Sequence, residues 1–342
     1  MKTQLTILAA IILGLLAGCR SAAEGRRPAG ARKDLPAGER VLLTVDFQQG
    51  QSLEYRFVSS RDIVIDWDPN KSPSKPGKEG INKQSEALEM VVAYTPVQVD
   101  SYGLTTINAT CKWVKAMRTR GPGGRASGAD AVESLIGKSF TFTVSPSGKI
   151  KDYSQLDNLI RQTGEKVFRS DTSMGRIKDP DMIGDFIASQ WFLWDSVSSI
   201  NNPSAGVAVG QTWTSKLSVP TPMVMRQARD VTYKLDQIRQ AEQNKLAVIH
   251  ASYKLAQRAP QGWPVPYSGR FQMSGTFGFL GPYEVLDLQG QGEELFNISI
   301  GRLQKYDQQY TLRLKASLPP LGISANPYIT ITQKLSMELL NP

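Results

Sequence analysis

From Val41 onward apolar and polar side chains alternate with a period of two, the spacing of half-buried β-strands. Val41, Leu43, Val45 and Phe47 open the series as a strand. Leu53, Tyr55 and Phe57 follow a turn at Gln49-Gly50-Gln51, and Ile63, Ile65 and Trp67 continue their face. Leu88, Met90, Val92 and Tyr94 mark another strand; Ile107, Ala109, Cys111 and Trp113 form the inward face of the next, and Phe140, Phe142 and Val144 follow. The period then becomes helical. Residues 153–168 carry Leu156, Leu159, Ile160 and Val167. Residues 181–200 carry Ile183, Phe186, Ile187, Trp191, Trp194 and Val197, with Asp181 as a plausible cap. Beyond them, strands are expected at 285–288, 294–300, 306–318 and 328–339. The last alternates Ile329, Ile331, Gln333, Leu335, Met337 and Leu339, a length that demands a large, continuous antiparallel sheet.

The β pattern is written twice. Leu104, Ile107, Ala109 and Lys112 return 142 positions later as Leu246, Ile249, Ala251 and Lys254. Gly50-Gln51-Ser52-Leu53 matches Gly210-Gln211-Thr212-Trp213, and Gly148-Lys149-Ile150 matches Gly301-Arg302-Leu303, in the same order along the chain. The expected fold is therefore mainly β (α+β): two tandem copies of a long-stranded antiparallel unit, curved or half-barrel-like, with linker helices covering one side. The first repeat spans 41–150, a helical connection 151–203 and the second repeat 204–342.

The first 40 residues have a different character. Met1-Lys2 precedes a short apolar run, too short for a comfortable span, which ends in Leu16-Ala17-Gly18-Cys19. That tetrapeptide resembles a bacterial lipobox, which implies a signal peptide over 1–18 and acylation of Cys19. Arg20 in the next position, by resemblance to sorting in Gram-negative lipoproteins, implies the outer membrane, facing the periplasm. Residues 19–40, rich in small residues, Pro, Gly and charge, read as a tether. The formal net charge of +9 favours anionic surfaces in general without naming nucleic acid, which is not expected as a partner. With Cys19 committed to the anchor, Cys111 has no intrachain disulfide partner.

Candidate chemistry is sparse. His250 is the one histidine, which excludes a histidine-rich zinc site and leaves a single candidate base for any triad. It lies on the face opposite Ile249, Ala251 and Tyr253, as a solvated or hydrogen-bonded strand residue. Asp62 and Asp66 share one face of a strand, whereas Glu293 and Glu294 are adjacent and so point apart. Neither pair has a second convergent pair for metal binding or glycosidic chemistry. The glycines of 118–128 are not followed by a helix bearing Lys-Ser or Lys-Thr, so a phosphate loop is not expected. No catalytic residue, metal or cofactor is expected. Phe186, Trp191, Trp194, Trp213 and Trp113 remain, as core aromatics that could also line an apolar pocket.

The lipobox and the paired Gly-Gln and Gly-Lys/Arg motifs together resemble an uncharacterised family of bacterial lipoproteins with a duplicated β domain. More remotely, the layout is similar to outer-membrane lipoprotein carriers and periplasmic lipid-binding lipoproteins. The resemblance implies a lipid-anchored, non-catalytic envelope protein holding a hydrophobic ligand, a lipid or an acyl chain, between sheet and helices. The alternatives are a structural lipoprotein contacting anionic envelope polymers or a protein partner of unknown identity, and, more distantly, a hydrolase.

Overall fold

The computed structural model describes residues 38, 40–67, 80–119, 130–170, 182–221, 224–241, 244–259, 261, 283–316 and 326–341. The expected signal segment 1–18, Cys19, nearly all of the tether, Asp181 and the loop glycines of 121–128 lie outside these residues. The first repeat folds as β2 (Leu53–Asp66), β3 (Ile81–Val99), β4 (Thr105–Thr119), β5 (Ser139–Val144) and β6 (Ile150–Asp152). The second folds as β8 (Thr212–Thr214), β9 (Val219–Thr221), β10 (Val224–Ala241), β11 (Asn244–Leu255), β12 (Tyr283–Asn297), β13 (Arg302–Ala316) and β14 (Tyr328–Leu339).

The two copies form one sheet of 12 strands, in the order β6-β5-β4-β3-β2-β14-β13-β12-β11-β10-β8, with β9 also on β10. Every pairing is antiparallel. The seam between the copies is β14 against β2, paired without a register shift from Tyr328 and Asp66 to Leu339 and Tyr55. The path does not close into a barrel. Within it the repeat is visible strand for strand: Thr105 to Trp113 falls on β4 and Leu246 to Leu255 on β11, and in both the Ile, the Ala and the residue two beyond it are buried. The matched turns also share backbone. Gly50 and Gly210 sit at φ 81° and 85°, and Gly148 and Gly301 at φ 77° and 61°, a region open to glycine at little cost.

Between the repeats run α1 (Ser154–Ser170), α2 (Ile183–Phe192) and α3 (Asp195–Ser198). Helix α2 buries Ile183, Phe186, Ile187, Ser189, Gln190 and Phe192, and leaves Gly184, Ala188 and Trp191 partly exposed along one side. Its contacts show how the sheet curves. Phe186 meets the ring of Phe140 on β5, near one edge, while the ring of Phe192 lies under the guanidinium of Arg229 on β10, near the other. Strands far apart in the sheet order reach the same ten-residue helix, so the sheet curls round α2.

Four expectations are corrected. Residues 41–47 alternate between buried and exposed, but only β1 (Arg40–Val41) pairs as a strand, with β7 (Val207–Ala208); the rest is an extended strap, bonded through Val45 N to Pro146 O and Asp46 N to Gly301 O. The segment expected as one helix over 181–200 is broken at Trp194, whose φ of −130° leaves the helical region. The strands expected at 285–288 and 294–300 are one strand, β12, which passes through Gly290 and Gly292. Trp113, expected to face inward, is 42% exposed. A bulge at Lys112, where Val91 and Val92 oppose Trp113 and Cys111, shifts the alternation by one residue, so Val114 takes the inward place.

Candidate functional site

The inner face of the sheet, the one that encloses α2, carries a polar row. Following the register from β4 to β11, Arg118 lies opposite Glu86, Glu86 opposite Arg61, Arg61 opposite Gln333, Gln333 opposite Tyr310, Tyr310 opposite Gly290 and Gly290 opposite Tyr253. Arg229 occupies the inward position of β10 two residues before Val231, the partner of Tyr253. These residues keep the phase of the apolar positions in their own strands, so alternation itself drives their side chains inward. Past the row, Ile63, Leu288, Leu312, Leu314, Ile329 and Ile331 continue the inner face toward the strand ends, all buried. The face is thus apolar, then polar, then apolar along the strand direction.

At the first-repeat end of the row the charges are matched. Arg61 Nε donates to Glu86 Oε2 at 2.7 Å and its Nη1 pairs with Asp185 Oδ2 of α2 at 3.1 Å. Arg118 pairs with Glu86 at 3.3 Å and with Asp130 at 2.5 Å. Burial works against the Arg61 charge, but Asp185 and Glu86 more than offset it and hold the guanidinium protonated beyond its usual range. Ser59 Oγ donates to Asp185 Oδ1 at 2.9 Å and receives Gln333 Nε2 at 2.7 Å, which ties the seam to the helix.

At the second-repeat end the acids are held by hydroxyls. Asp195 of α3 accepts from Tyr233 Oη at 2.7 Å, Ser199 Oγ at 2.9 Å and Ser215 Oγ at 2.8 Å, and its carboxyl lies above the usual range because burial outweighs those bonds. Glu294 accepts from Ser196 Oγ at 2.6 Å, and burial pushes its carboxyl up to about 8. Between pH 4.5 and about 8 the unfolded chain therefore releases a proton that the folded chain keeps, and stability falls as pH rises through that window. Glu294→Gln is expected to leave stability at pH 4 nearly unchanged and to flatten this decline, as read by urea denaturation at intervals from pH 4 to 9.

Arg229 differs from Arg61 and Arg118. It is 2% exposed, and its Cζ lies 4.5 Å from the ring centroid of Phe192, 4.9 Å from Tyr253 and 5.0 Å from Tyr310. Nη1 donates to Gln308 Oε1 at 3.0 Å, while the buried Nε has no partner. Tyr253 and Tyr306 share a hydrogen bond between hydroxyls beneath this cage. Gly290 makes the arrangement possible: a Cβ there would meet Gln309 O at 2.2 Å and Tyr310 Cβ at 2.3 Å, so only a bare strand lets the neighbouring tyrosines close over it.

The five aromatics expected as pocket lining are spread over the structure, each against different neighbours. Trp194 contacts the rings of Phe47, Tyr94 and Phe142 at centroid distances of 6.0, 5.9 and 5.6 Å, and Trp213 Nε1 donates to Ser196 O at 2.8 Å. Trp191 is partly buried against Tyr153, Phe186 is in the core, and Trp113 lies on the other face of the sheet. These five do not converge on one cavity. Cys111 is buried, with its thiol pushed up to about 11 by burial.

The outer face holds an open groove of about 590 Å³ across the central strands, lined in part by Ser60, His250, Gln291, Glu293, Lys334 and Ser336. His250 Nε2 lies 3.7 Å from Asp236 and 3.8 Å from Glu293. The serines stand on β2 and β14, three or more strands away from β11, at a spacing of about 4.8 Å per strand. A nucleophile and its base need hydrogen-bond contact, which this separation denies. Among the described residues no group of three or more His, Cys, Asp and Glu side chains could hold a metal ion, and no helix is long and apolar enough to cross a membrane.

Sequence reasoning passed over Arg61, Glu86 and Arg229, and weighed Glu294 only beside Glu293. The signal was present: each falls on the inward phase of its strand, as Arg61 does between Phe57 and Ile65.

A family model described as a family of unknown function (DUF6263) matches residues 115–262, which run from β4 through the helices to β11. No curated protein matches. Among solved structures, the chain is similar to one reported under lipid-protein interactions in lipovitellin, at 13% identity and a TM-score of 0.44 over 86% of this chain. It spans about a quarter of that chain, 26%. A second is DynF from the dynemicin biosynthesis pathway of Micromonospora chersina, at 9% identity and a TM-score of 0.17 over 93% of this chain and 95% of that one.

Proposed function

We propose that this chain is a non-catalytic protein, anchored through acylated Cys19 to the outer membrane of a bacterial envelope, that binds a hydrophobic ligand with a polar head against the inner face of its curved sheet. The observation that carries the proposal is the transverse row from Arg118 to Arg229 across a largely apolar face. A structural core gains little from a line of charge at that depth, because each buried ion loses its hydration. A ligand with an apolar body and a polar end matches such a face. On this reading the apolar body of the ligand lies beyond the row, along Leu288, Leu312, Leu314, Ile329 and Ile331, and must displace the protein that buries them. The outer groove carries both signs of charge and does not favour anionic polymers.

The test is mass spectrometry of organic extracts from the protein purified out of its native envelope. A defined lipid or acyl species recovered in near-stoichiometric amount, beyond the acyl chains on the N-terminal peptide, is the expected result. Recovery of bulk envelope lipid in the proportions of the membrane would overturn the proposal.

A further inference from the structure

We infer that Arg229 is the recognition site for an anionic headgroup, a carboxylate or phosphate carried on an acyl chain. The inference rests on the ligand-binding role proposed above and narrows it to a class of amphiphile.

The three inner-face arginines make the case by contrast. Arg61 has two carboxylates within 3.1 Å, and Arg118 has two within 3.3 Å. Arg229 is as deeply buried, yet among the described residues no carboxylate lies within ion-pair distance of it. Its neighbours are three ring faces and one amide oxygen. The nearby acids are engaged elsewhere, Asp195 by Tyr233, Ser199 and Ser215, and Glu294 by Ser196. Ring faces attract a cation but supply no acceptor for its N–H groups, so the guanidinium remains short of both charge and hydrogen bonds. The unpartnered Nε adds a donor to that deficit. A carboxylate or phosphate oxygen accepts from a guanidinium in the bidentate manner that no group now present provides. Leu288 lies two residues along β12 from Gly290, so an acyl chain attached to that anion starts at the apolar strip.

The test is displacement of cis-parinaric acid fluorescence from the full chain carrying Cys19→Ser. Oleate and oleoyl lysophosphatidate are compared with oleyl alcohol, which has the same chain without the charge. The expected result is that an anionic competitor displaces the probe at least tenfold more effectively than the alcohol. If only oleate does so, the headgroup is a carboxylate; if only the lysophosphatidate does, it is a phosphate. Arg229→Met should abolish that preference while leaving oleyl alcohol displacement within twofold, and Arg229→Lys should keep part of it. Equal displacement by acid and alcohol in the Arg229 protein overturns the headgroup assignment and leaves amphiphile binding standing. Failure of the protein to bind the probe at all removes the binding role itself. Should Arg229→Met not fold, the comparison of anion with alcohol in the Arg229 protein decides the matter alone.

Discussion

Replacing Arg61 with methionine is expected to destabilise the protein by about 3–5 kcal/mol, because removing one partner of a buried ion pair leaves the other charge uncompensated. Here two acids are left behind. Glu86 keeps Arg118 at 3.3 Å, but Asp185 keeps only hydroxyl contact from Ser59. The cost therefore falls mostly on Asp185, and the double variant Arg61→Met/Asp185→Asn should recover a large part of it. Urea denaturation at pH 7 reads the effect as a lowered midpoint with an unchanged slope. A single variant within about 0.5 kcal/mol of the parent would mean that the Arg61 side chain is solvated and that the polar row is not enclosed.

The second large effect is expected at Trp194. Its indole is 4% exposed and touches the strap through Phe47, β3 through Tyr94 and β5 through Phe142. Trp194→Ala should cost about 3–5 kcal/mol, the range for emptying a core site of that size. Because the residue stands where α2 ends and α3 begins, the loss should also loosen α3, which presents Asp195 to Tyr233. Loss of near-ultraviolet circular dichroism and faster amide exchange at residues 195–199 would report that coupling. Phe→Leu at position 47, on the strap side of the same ring, should cost much less, since most of the indole contact is with the sheet.

The strands were legible in the sequence because their inward residues alternate without fault over long stretches, as in Ile329, Ile331, Leu335 and Met337. The repeat was legible because its turn glycines cannot drift: Gly148 approaches Val197 and Trp194 so closely that a Cβ there would lie 2.8 and 3.0 Å from them. What alternation could not supply was the strand order. Nothing in β2 or β14 marks them as partners, since a seam between the two copies obeys the same alternation as a hairpin. Trp113 was misplaced for a related reason, because a one-residue bulge leaves no compositional trace while reversing every later side chain. Residues 41–47 alternate as a strand does because they run extended over the core, but burial on one side does not require ladder partners. The polar row was hidden by the habit of counting only apolar residues as inward, although Gln333 stood in the alternating series of the last strand.

The row is continuous only if β14 pairs with β2, so the most direct measurement is a cross-link at that seam. Ser60 and Lys334 are register partners on the outer face, and Gln309 and Lys334 are partners within the β13–β14 hairpin. Paired residues on adjacent antiparallel strands have Cα atoms about 4.5–5.5 Å apart, within disulfide reach. In a Cys19→Ser background, Ser60→Cys/Lys334→Cys should oxidise to an intrachain disulfide as completely as the control Gln309→Cys/Lys334→Cys, with the joined peptides identified by mass spectrometry. A seam pair that stays reduced while the hairpin control closes would separate the two repeats into different sheets and break the row that the ligand site is built on.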